Sequence, residues 1–312
     1  MNSDYKDNWL CLFIFVKPPF EKILTECLYP IIWNLSSKHF IDKFFFIRYG
    51  EGGAHIRFRI LFKNFKYLSL SNARITDNIL RYITLNNLEC SSASSKYITV
   101  NIYEPEFDRY GGRDGIEIAE KIFNKSSDTV LQILKLTKSW NYNSALFISA
   151  LMNYTMIYSF VKNNNIVTLL FLFNYNKWLS KRYNRTNRHL TLHELNIETQ
   201  KLFNNKFLLI KKQFSPMIKY YHSQLRSQTM KDPIFSSWVQ DITLLGEELS
   251  QLFANGKLVT DRSVKEKTLV LWNIYDSYIH MNNNRLGIRN SDESYISYLL
   301  YCSIKTIEED GK

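Results

Sequence analysis

The sequence predicts an α+β fold in which an N-terminal mixed or antiparallel sheet with flanking helices precedes a largely helical C-terminal part. Short runs rich in aromatic and β-branched residues, which favour strands, lie within residues 9–103. Beyond residue 112, apolar residues recur at helical spacing. Since neither an internal repeat nor a Pro/Gly/Ser-rich linker interrupts the chain, we predict a single domain over residues 1–312, with an α/β part at 1–125 and a mainly helical part at 126–312.

The predicted strands begin near the N-terminus. Residues 9–16 form a continuous apolar run, which is typical of a central strand buried on both faces. Two prolines end that run, and residues 20–35 then follow helical spacing. Residues 44–49 and 55–62 are strands that we predict to form a hairpin, because the glycine-rich turn at 50–53 permits positive φ angles.

The remaining elements follow from periodicity and from capping residues. Ser126, Ser127 and Asp128 are typical of a helix N-cap, so we predict that a new helix begins there and covers residues 129–140. Ser291 is the predicted N-cap of the final helix at 292–307. The other predicted elements are a helix near 73–85, a strand at 96–103 and helices at 115–123, 142–161, 167–183 and 264–281.

Composition and charge exclude some classes of protein and leave several kinds of partner open. Apolar residues make up 45% of the chain and aromatics 15%, which excludes a disordered tail or a fibrous repeat. A net charge of +11 indicates either a solvated lysine-rich surface or an anionic partner, such as nucleic acid, a phosphate or a carboxylate-rich peptide. Residues 177–231 are the most basic stretch, with twelve Lys or Arg against Glu194 and Glu198.

Cysteine and histidine spacing indicates neither a disulfide framework nor a metal site. His189 and His193 could lie one turn apart, but no Glu follows the first histidine as the zinc-protease pattern requires. Walker, nucleophile-elbow and Rossmann patterns do not occur, so we predict no metal and no cofactor. The apolar run at 9–16 is shorter than the roughly 20 residues that span a bilayer, and we expect a cytoplasmic protein without membrane contact. Four cysteines lie far apart and are expected to be reduced: Cys11, Cys27, Cys90 and Cys302.

The strand at 55–62 carries the sharpest local pattern. Because side chains alternate along a strand, His55, Arg57 and Arg59 share one face, and the apolar residues between them share the other. Two arginines and a histidine in such a ladder suit the binding of carboxylates, since the guanidinium group stays charged and binds carboxylate at two points. An exposed strand face held by salt bridges is the alternative interpretation.

Two further segments carry polar groups at the ends of predicted elements. Glu106 and Arg109 lie beyond the strand at 96–103 and could pair, either as a structural turn or within a site. His280 lies near the end of a predicted helix, where a histidine is ordinarily a cap and the neighbouring Asn and Gly residues are helix-stop residues.

In this order, these segments resemble the C-terminal small domain of the lantibiotic dehydratases, which also occurs alone as the thiopeptide-type bacteriocin biosynthesis protein. The resemblance extends over nearly the whole chain, although residues 130–260 contribute little to it. The matching segments are the Phe-Phe-Ile-Arg-Tyr strand at 45–49, the His-Ile-Arg-Phe-Arg strand at 55–59, the Pro-Glu-Phe-Asp-Arg-Tyr-Gly-Gly segment at 105–112, residues 119–128, and the His-Met-Asn-Asn-Asn-Arg-Leu-Gly segment at 280–287.

The resemblance implies glutamate elimination from glutamylated Ser or Thr of a precursor peptide, which gives dehydrated residues. It implies that Arg57, Arg59 and Arg109 hold the glutamyl group and that His280 acts as acid or base. Because the large glutamylation domain is absent from the sequence, a separate glutamylating protein is the implied partner, and direct binding of nucleic acid is not expected. Substrate contacts are expected from other residues of the matched segments: Arg48, His55, Glu106, Tyr110 and Arg285.

Two other functions stay open at this stage. Stand-alone members of the resembled family include enzymes of a formal [4+2] cycloaddition that builds the pyridine ring of thiopeptides, although these are not expected to retain the full arginine and histidine set. A non-catalytic partner that only holds the precursor peptide is the second alternative. The oligomeric state is also open, with a homodimer as one option.

Overall fold

The computed structural model describes residues 8–186, 189–259 and 267–310. The chain divides into two compact units, residues 1–139 and 140–312. The α/β part and the helical part expected from the sequence correspond to these units, but the boundary lies beyond residue 125 because one helix continues to Leu136. That both parts form a single domain stays a prediction.

Four antiparallel strands form the sheet in the described part of the first unit. Their order is β2-β3-β1-β4, so β1 lies inside the sheet, as its apolar sequence predicted. The predicted hairpin is confirmed, since β2 pairs with β3 and Tyr49 lies opposite His55. The strands are β1 (Trp9–Phe15), β2 (Ile41–Tyr49), β3 (His55–Phe62) and β4 (Ile98–Asn101).

One face of the sheet forms the core of the first unit. The side chains of Ile56, Phe58 and Ile60 are at most 1% exposed, which confirms the predicted apolar face of β3. Burying each such side chain stabilises the fold by roughly 1.5–3 kcal/mol. The helices that pack in this unit are a π-helical segment (Ile23–Leu28), α1 (Tyr29–Ser37) and α2 (Phe65–Leu85).

Helix α4 (Gly112–Leu136) covers the outer edge of β2 and corrects one prediction from the sequence. The backbone N–H of Phe46 donates to Ser127 Oγ across 3.2 Å, and that of Phe44 donates to Asn124 Oδ1 across 2.9 Å. The predicted N-cap at Ser126 is therefore wrong: the serines lie buried inside a continuous helix. Ser127 does not begin a helix; its hydroxyl accepts a hydrogen bond from β2. The backbone N–H groups on the outer side of an edge strand lack a neighbouring strand and need other acceptors.

The described part of the second unit is helical. The final helix begins at Asn290, one residue before the predicted N-cap Ser291. The preceding helix was predicted to begin at residue 264, which lies outside the described residues. The one-turn helix α3 (Phe107–Tyr110) precedes α4 in the first unit. The helices of the second unit are α5 (Tyr142–Val161), α6 (Asn164–Thr186), α7 (Leu192–Ser227), α8 (Pro233–Ala254), α9 (Lys267–Leu286) and α10 (Asn290–Asp310).

Helix α5 supplies much of the core of the second unit. Among the described residues it is the one helix that is long and apolar enough, by length and composition, to cross a membrane. However, 67% of its most apolar 18-residue window is buried inside the protein. Thr155 on this helix accepts a hydrogen bond from the indole N–H of Trp238 across 3.0 Å, a polar contact within the core. Its apolar composition is thus accounted for by packing.

Candidate functional site

Two arginines of β3 lie on the sheet face opposite the apolar core. Residues directly opposite each other in antiparallel strands share a face. Phe13 of β1 lies opposite Arg57, and Cys11 lies opposite Arg59. The predicted face of β3 is therefore present in the structure, and His55 at its end is buried.

His55 is held as a neutral imidazole between a glycine carbonyl and an arginine. Its Nδ1–H donates to the carbonyl oxygen of Gly53 across 2.8 Å, and its Nε2 accepts from Arg57 Nε across 3.3 Å. Burial lowers the pKa of His55, and the charge of Arg57 lowers it further, against the effect of the Gly53 hydrogen bond. Gly53 has φ +115, and a Cβ there would overlap the carbonyl of Ser91, so this turn requires glycine.

Arg57 lies between two aromatic rings. Its guanidinium carbon is 3.5 Å from the ring centroid of Tyr49 and 4.7 Å from that of Phe13. Cation–π contacts of this kind contribute about 0.5–2 kcal/mol each. Phe13 and Tyr49 belong to the two strands that flank β3, so their rings and His55 all contact the Arg57 guanidinium.

Arg59 is more deeply enclosed than Arg57. Its guanidinium carbon lies 4.8 Å from the ring centroid of Tyr103 and 5.3 Å from that of Phe45. Its Nε is buried and, among the described residues, makes no hydrogen bond. Burial lowers the pKa of Arg59, and the nearby charge of Arg57 acts in the same direction. The guanidinium also interacts with the thiol of Cys11, whose pKa it lowers against the effect of burial. Its buried Nε–H has no acceptor among the described residues, which is costly for a cationic donor.

Glu106 and Arg109 form the ion pair that their spacing suggested. Arg109 Nη1 lies 3.0 Å from Glu106 Oε2, and both side chains are partly exposed at the one-turn helix α3. The charge of Glu106 raises the pKa of Arg59, against the larger effect of burial. Tyr110 is buried and packs edge-on against Phe123 of α4. Arg57 and Arg59 thus share one face of β3, and the Glu106–Arg109 pair lies at the one-turn helix beyond β4; that they act as one site stays a prediction.

Arg48 does not join this group. It lies opposite Ile56 in the sheet, so its side chain points to the other face. There its Nη1 makes an ion pair with Glu21 Oε1 across 2.8 Å. Arg48 is among the predicted substrate contacts, but the alternation of side chains along β2 places it on the face opposite to that of Arg57 and Arg59.

His280 belongs to α9 in the second unit and is held by a buried carboxylate. Its Nδ1 lies 2.8 Å from Oε1 of Glu293 on α10, and its ring centroid lies 5.4 Å from that of Trp178, with the two rings tilted by 34°. The side chain of Glu293 is 1% exposed, whereas that of His280 is 21% exposed. Among the described residues, Nε2 of His280 makes no hydrogen bond.

Sequence reasoning missed Glu293. Its other oxygen, Oε2, accepts a hydrogen bond from Asn283 Nδ2 across 3.2 Å. Burial raises the pKa of Glu293, and the hydrogen bonds from His280 and Asn283 oppose that rise. Thirteen positions separate Glu293 from His280, and they lie on different helices, so no local spacing could have linked them.

Arg285 occupies a different environment from the one predicted. It is fully buried inside the second unit, and its Nη1 donates to the carbonyl of Met281 one turn earlier in α9. This burial indicates a structural role in the core, and the substrate contact that the resemblance implied for Arg285 stays a prediction. Arg57, Arg59 and Arg109 lie in the first unit and His280 in the second, and their convergence on one substrate stays a prediction.

No group of three or more His, Cys, Asp or Glu side chains able to hold a metal ion occurs among the described residues. His189 lies before α7, because Thr191 caps that helix in a reciprocal capping box with Glu194. His193 is inside the helix, so the two histidines do not share one helical face.

The chain belongs to the lantibiotic biosynthesis dehydratase C-terminal family, whose profile matches residues 9–304. Membership places the protein in the biosynthesis of ribosomally made, enzymatically modified peptides. A curated relative is the nisin biosynthesis protein NisB of Lactococcus lactis subsp. lactis, which is 27% identical over 258 residues. That match covers 82% of this chain but 21% of NisB, so the chain spans about a fifth of that relative.

Solved structures share the fold. TsrL has a TM-score of 0.71 at 14% identity, and the match covers 96% of this chain and 95% of TsrL. TbtD, the pyridine synthase from thiomuracin biosynthesis, has a TM-score of 0.65 at 12% identity, covering 97% of this chain and 99% of TbtD. MibB, the tRNA-dependent lantibiotic dehydratase from Microbispora sp. 107891, has a TM-score of 0.62 at 17% identity, covering 98% of this chain and 28% of MibB.

Proposed function

We propose that this chain eliminates glutamate from glutamylated Ser or Thr residues of a ribosomally made precursor peptide, leaving dehydroalanine or dehydrobutyrine. The observation that carries the proposal is the arginine cluster of the first unit. Arg59 presents a buried Nε that lacks a hydrogen-bond partner among the described residues, and Arg57 lies beside it on β3. A glutamate carboxylate is the acceptor that such a donor binds best.

The proposed reaction is a β-elimination. A base takes the Cα proton, and the electrons of the Cα–H bond form the Cα=Cβ double bond. The Cβ–O bond breaks, and its electron pair leaves with glutamate as a carboxylate. Negative charge develops on the leaving carboxylate and on the carbonyl beside Cα, so fixed positive charge near both lowers the barrier.

The residue types suit this division of labour. Arg57, Arg59 and Arg109 would hold the glutamyl group, because guanidinium groups keep their charge at physiological pH. His280, whose Nε2 makes no hydrogen bond among the described residues, would transfer a proton, a role that typically contributes about 10²–10⁴-fold to the rate. Substrate contacts would extend to His55, Glu106 and Tyr110, which surround the same sheet face or the turn beyond β4.

The partners follow from the chemistry. The substrate must already carry a glutamyl ester, so a separate glutamylating protein has to act first on the same peptide. We place both in the cytoplasm, where the precursor peptide is made. The glutamyl ester, not a nucleic acid, is the group that this chain would recognise.

A synthetic peptide with a glutamyl ester on Ser tests the proposal. Incubated with the wild-type protein, the peptide should lose glutamate, which mass spectrometry detects directly. Arg59→Ala should lower the rate by about 10²–10³-fold, and His280→Ala by at least about 10²-fold. Arg74→Ala, at an exposed arginine of α2, is the matched control and should keep the wild-type rate. Wild-type rates for Arg59→Ala and His280→Ala would rule out this site.

A cycloaddition that forms a pyridine ring is the second candidate. The observation in its favour is the shared fold with TbtD, which is a pyridine synthase of similar extent. It predicts that a glutamylated peptide stays intact, while a peptide with two dehydroalanines is cyclised. If the protein binds peptide but changes neither substrate, the remaining reading is a non-catalytic precursor-binding partner.

A further inference from the structure

A chain of side-chain amides runs through the core of the second unit and ends at Glu293. Asn282 Nδ2 donates to Asn153 Oδ1 across 3.3 Å, and Asn153 Nδ2 donates to Asn283 Oδ1 across 2.8 Å. Ser149 donates to the same oxygen of Asn283. The side chains of all three asparagines are buried, so their hydrogen bonds determine which way each amide points.

Each amide in this chain donates a hydrogen bond to the next group, from Asn282 through Asn153 and Asn283 to Glu293. Because Asn283 Oδ1 already accepts from Asn153 and Ser149, Asn283 can offer only its NH₂ group to Glu293. One carboxylate oxygen of Glu293 therefore accepts from Asn283, and the other faces Nδ1 of His280 across 2.8 Å. A carboxylate that accepts at both oxygens favours a proton on Nδ1 of the imidazole.

We propose that Glu293 is a positioning residue that fixes His280 in the Nδ1–H tautomer, so that its Nε2 lone pair is the base that takes the Cα proton in the proposed elimination. This inference rests on the proposed function for the identity of the proton. The tilted indole of Trp178 packs beside the His280 ring, and the hydrogen bond to Glu293 holds Nδ1 on the side of α10. Nε2 is the ring nitrogen left without a hydrogen bond among the described residues, so it is the one that we assign to the substrate proton.

Other charged groups surround the pair. The charge of Asp276 on α9 raises the pKa of Glu293. Oδ2 of Asp276 in turn lies 2.5 Å from Lys177 Nζ on α6. Lys181 Nζ lies 4.1 Å from the ring centroid of Trp178, on the same helix as Lys177. Helix α5 contributes neutral groups, among them Ser149 and Asn153. Within this described environment, Glu293 is the one carboxylate bonded to the His280 ring.

Replacing Glu293 by glutamine gives a sharp prediction because of the fixed Asn283 amide. The side-chain oxygen of the new glutamine must face the Asn283 NH₂, so its own NH₂ turns towards Nδ1 of His280. Nδ1 then becomes an acceptor, and the ring proton moves to Nε2. The variant thereby removes the lone pair that we assign to catalysis without removing the imidazole.

The tautomer can be measured without any activity. Protein labelled with ¹⁵N-histidine should show His280 protonated at Nδ1 at pH 8 in the wild type and at Nε2 in Glu293→Gln, and Glu293→Asp should keep the wild-type pattern. His222, whose Nδ1 contacts Tyr154 Oη at 2.5 Å in the same unit, is an internal reference and should not change. Glu120→Gln, at another fully buried glutamate, should leave the His280 signals unchanged.

Kinetics with the glutamylated peptide complete the test. Glu293→Gln should lower kcat about 10²-fold with little change in KM, and Glu293→Asp should restore most of the rate. A wild-type His280 protonated at Nε2, or an unchanged tautomer in Glu293→Gln, would overturn the inference even if elimination proceeds. The expected tautomers without any elimination by the wild type would instead reject the proposed function and leave the positioning role of Glu293 intact.

Discussion

Arg57 donates its Nε–H to Nε2 of His55 across 3.3 Å, and His55 is in turn fixed by the carbonyl of Gly53. A backbone turn therefore sets the direction of a guanidinium group through an imidazole. The hydrogen bond uses the Nε–H of Arg57, so the N–H groups of its two terminal nitrogens are not needed for it. The hydrogen bond from Arg57 gives a physical reason for a histidine at the first position of β3.

His55→Ala should lower the elimination rate by up to about 10²-fold, because Arg57 loses the acceptor that directs it and small misplacements of a binding group have effects of that size. Single-turnover rates with the glutamylated peptide measure the effect. The control is His193→Ala, an exposed histidine of α7, which should have the wild-type rate. Equal rates for His55→Ala and wild type would show that Arg57 needs no support from His55.

Arg59→Lys should be nearly as inactive as Arg59→Ala, within about tenfold. Lysine keeps the positive charge but lacks the planar group that lies beside Tyr103 and carries the buried Nε donor. Steady-state kcat and KM for both variants provide the measurement, with Arg74→Lys as the control. Near-wild-type activity of Arg59→Lys would mean that charge alone suffices at this position.

The stability of the protein should depend on pH through Glu293. Burial raises its pKa above the ordinary value of 4.5, so the native state binds this proton more tightly than the unfolded chain does. The resulting stability is complete below pH 4.5 and is lost as the pH rises through the raised pKa. Relative to Glu293→Gln, which does not titrate, the wild type should therefore lose stability as the pH rises. Urea unfolding of both proteins at several pH values measures this difference, and a constant difference would contradict it.

Ser127→Ala should destabilise the first unit by about 1–3 kcal/mol, because the buried N–H of Phe46 loses its acceptor at the edge of β2. Ser180→Ala is the control, since Ser180 Oγ donates only to the carbonyl of Asn176 in its own helix. That control should change the free energy of unfolding by less than about 0.5 kcal/mol. Urea unfolding compares the two, and equal effects would argue against the edge contact.

The thiols of Cys11 and Cys27 should resist modification in the native protein at pH 8. Burial raises their pKa values to about 11 and about 12, so few thiolates form and the side chains are inaccessible. Cys90, which is partly exposed, should react first with a thiol reagent. Denaturation should expose all the thiols, and rapid native labelling of Cys11 would contradict its place inside the sheet.

The sequence predicted what depends on near neighbours along the chain. The alternation of β3 placed Arg57 and Arg59 on one face, since the side-chain period of a strand is two, and the apolar run at residues 9–16 predicted an inner strand. The Glu106–Arg109 pair was also predictable, because residues three apart meet within one helical turn. Resemblance over the chain pointed to the family that the profile then confirmed.

Only the tertiary structure decided the contacts between distant segments. Ser127 looked like a helix cap in the sequence, but its hydroxyl bonds the edge of β2, a strand about 80 residues earlier. Arg48 and Arg285 lie in the same motifs as the predicted site residues. Strand alternation places Arg48 on the other face of the sheet, and Arg285 is buried in the core of the second unit. Glu293 carried no local signal, because its partner His280 lies on another helix. Periodicity is a property of neighbouring residues, whereas hydrogen bonds between elements depend on how those elements pack.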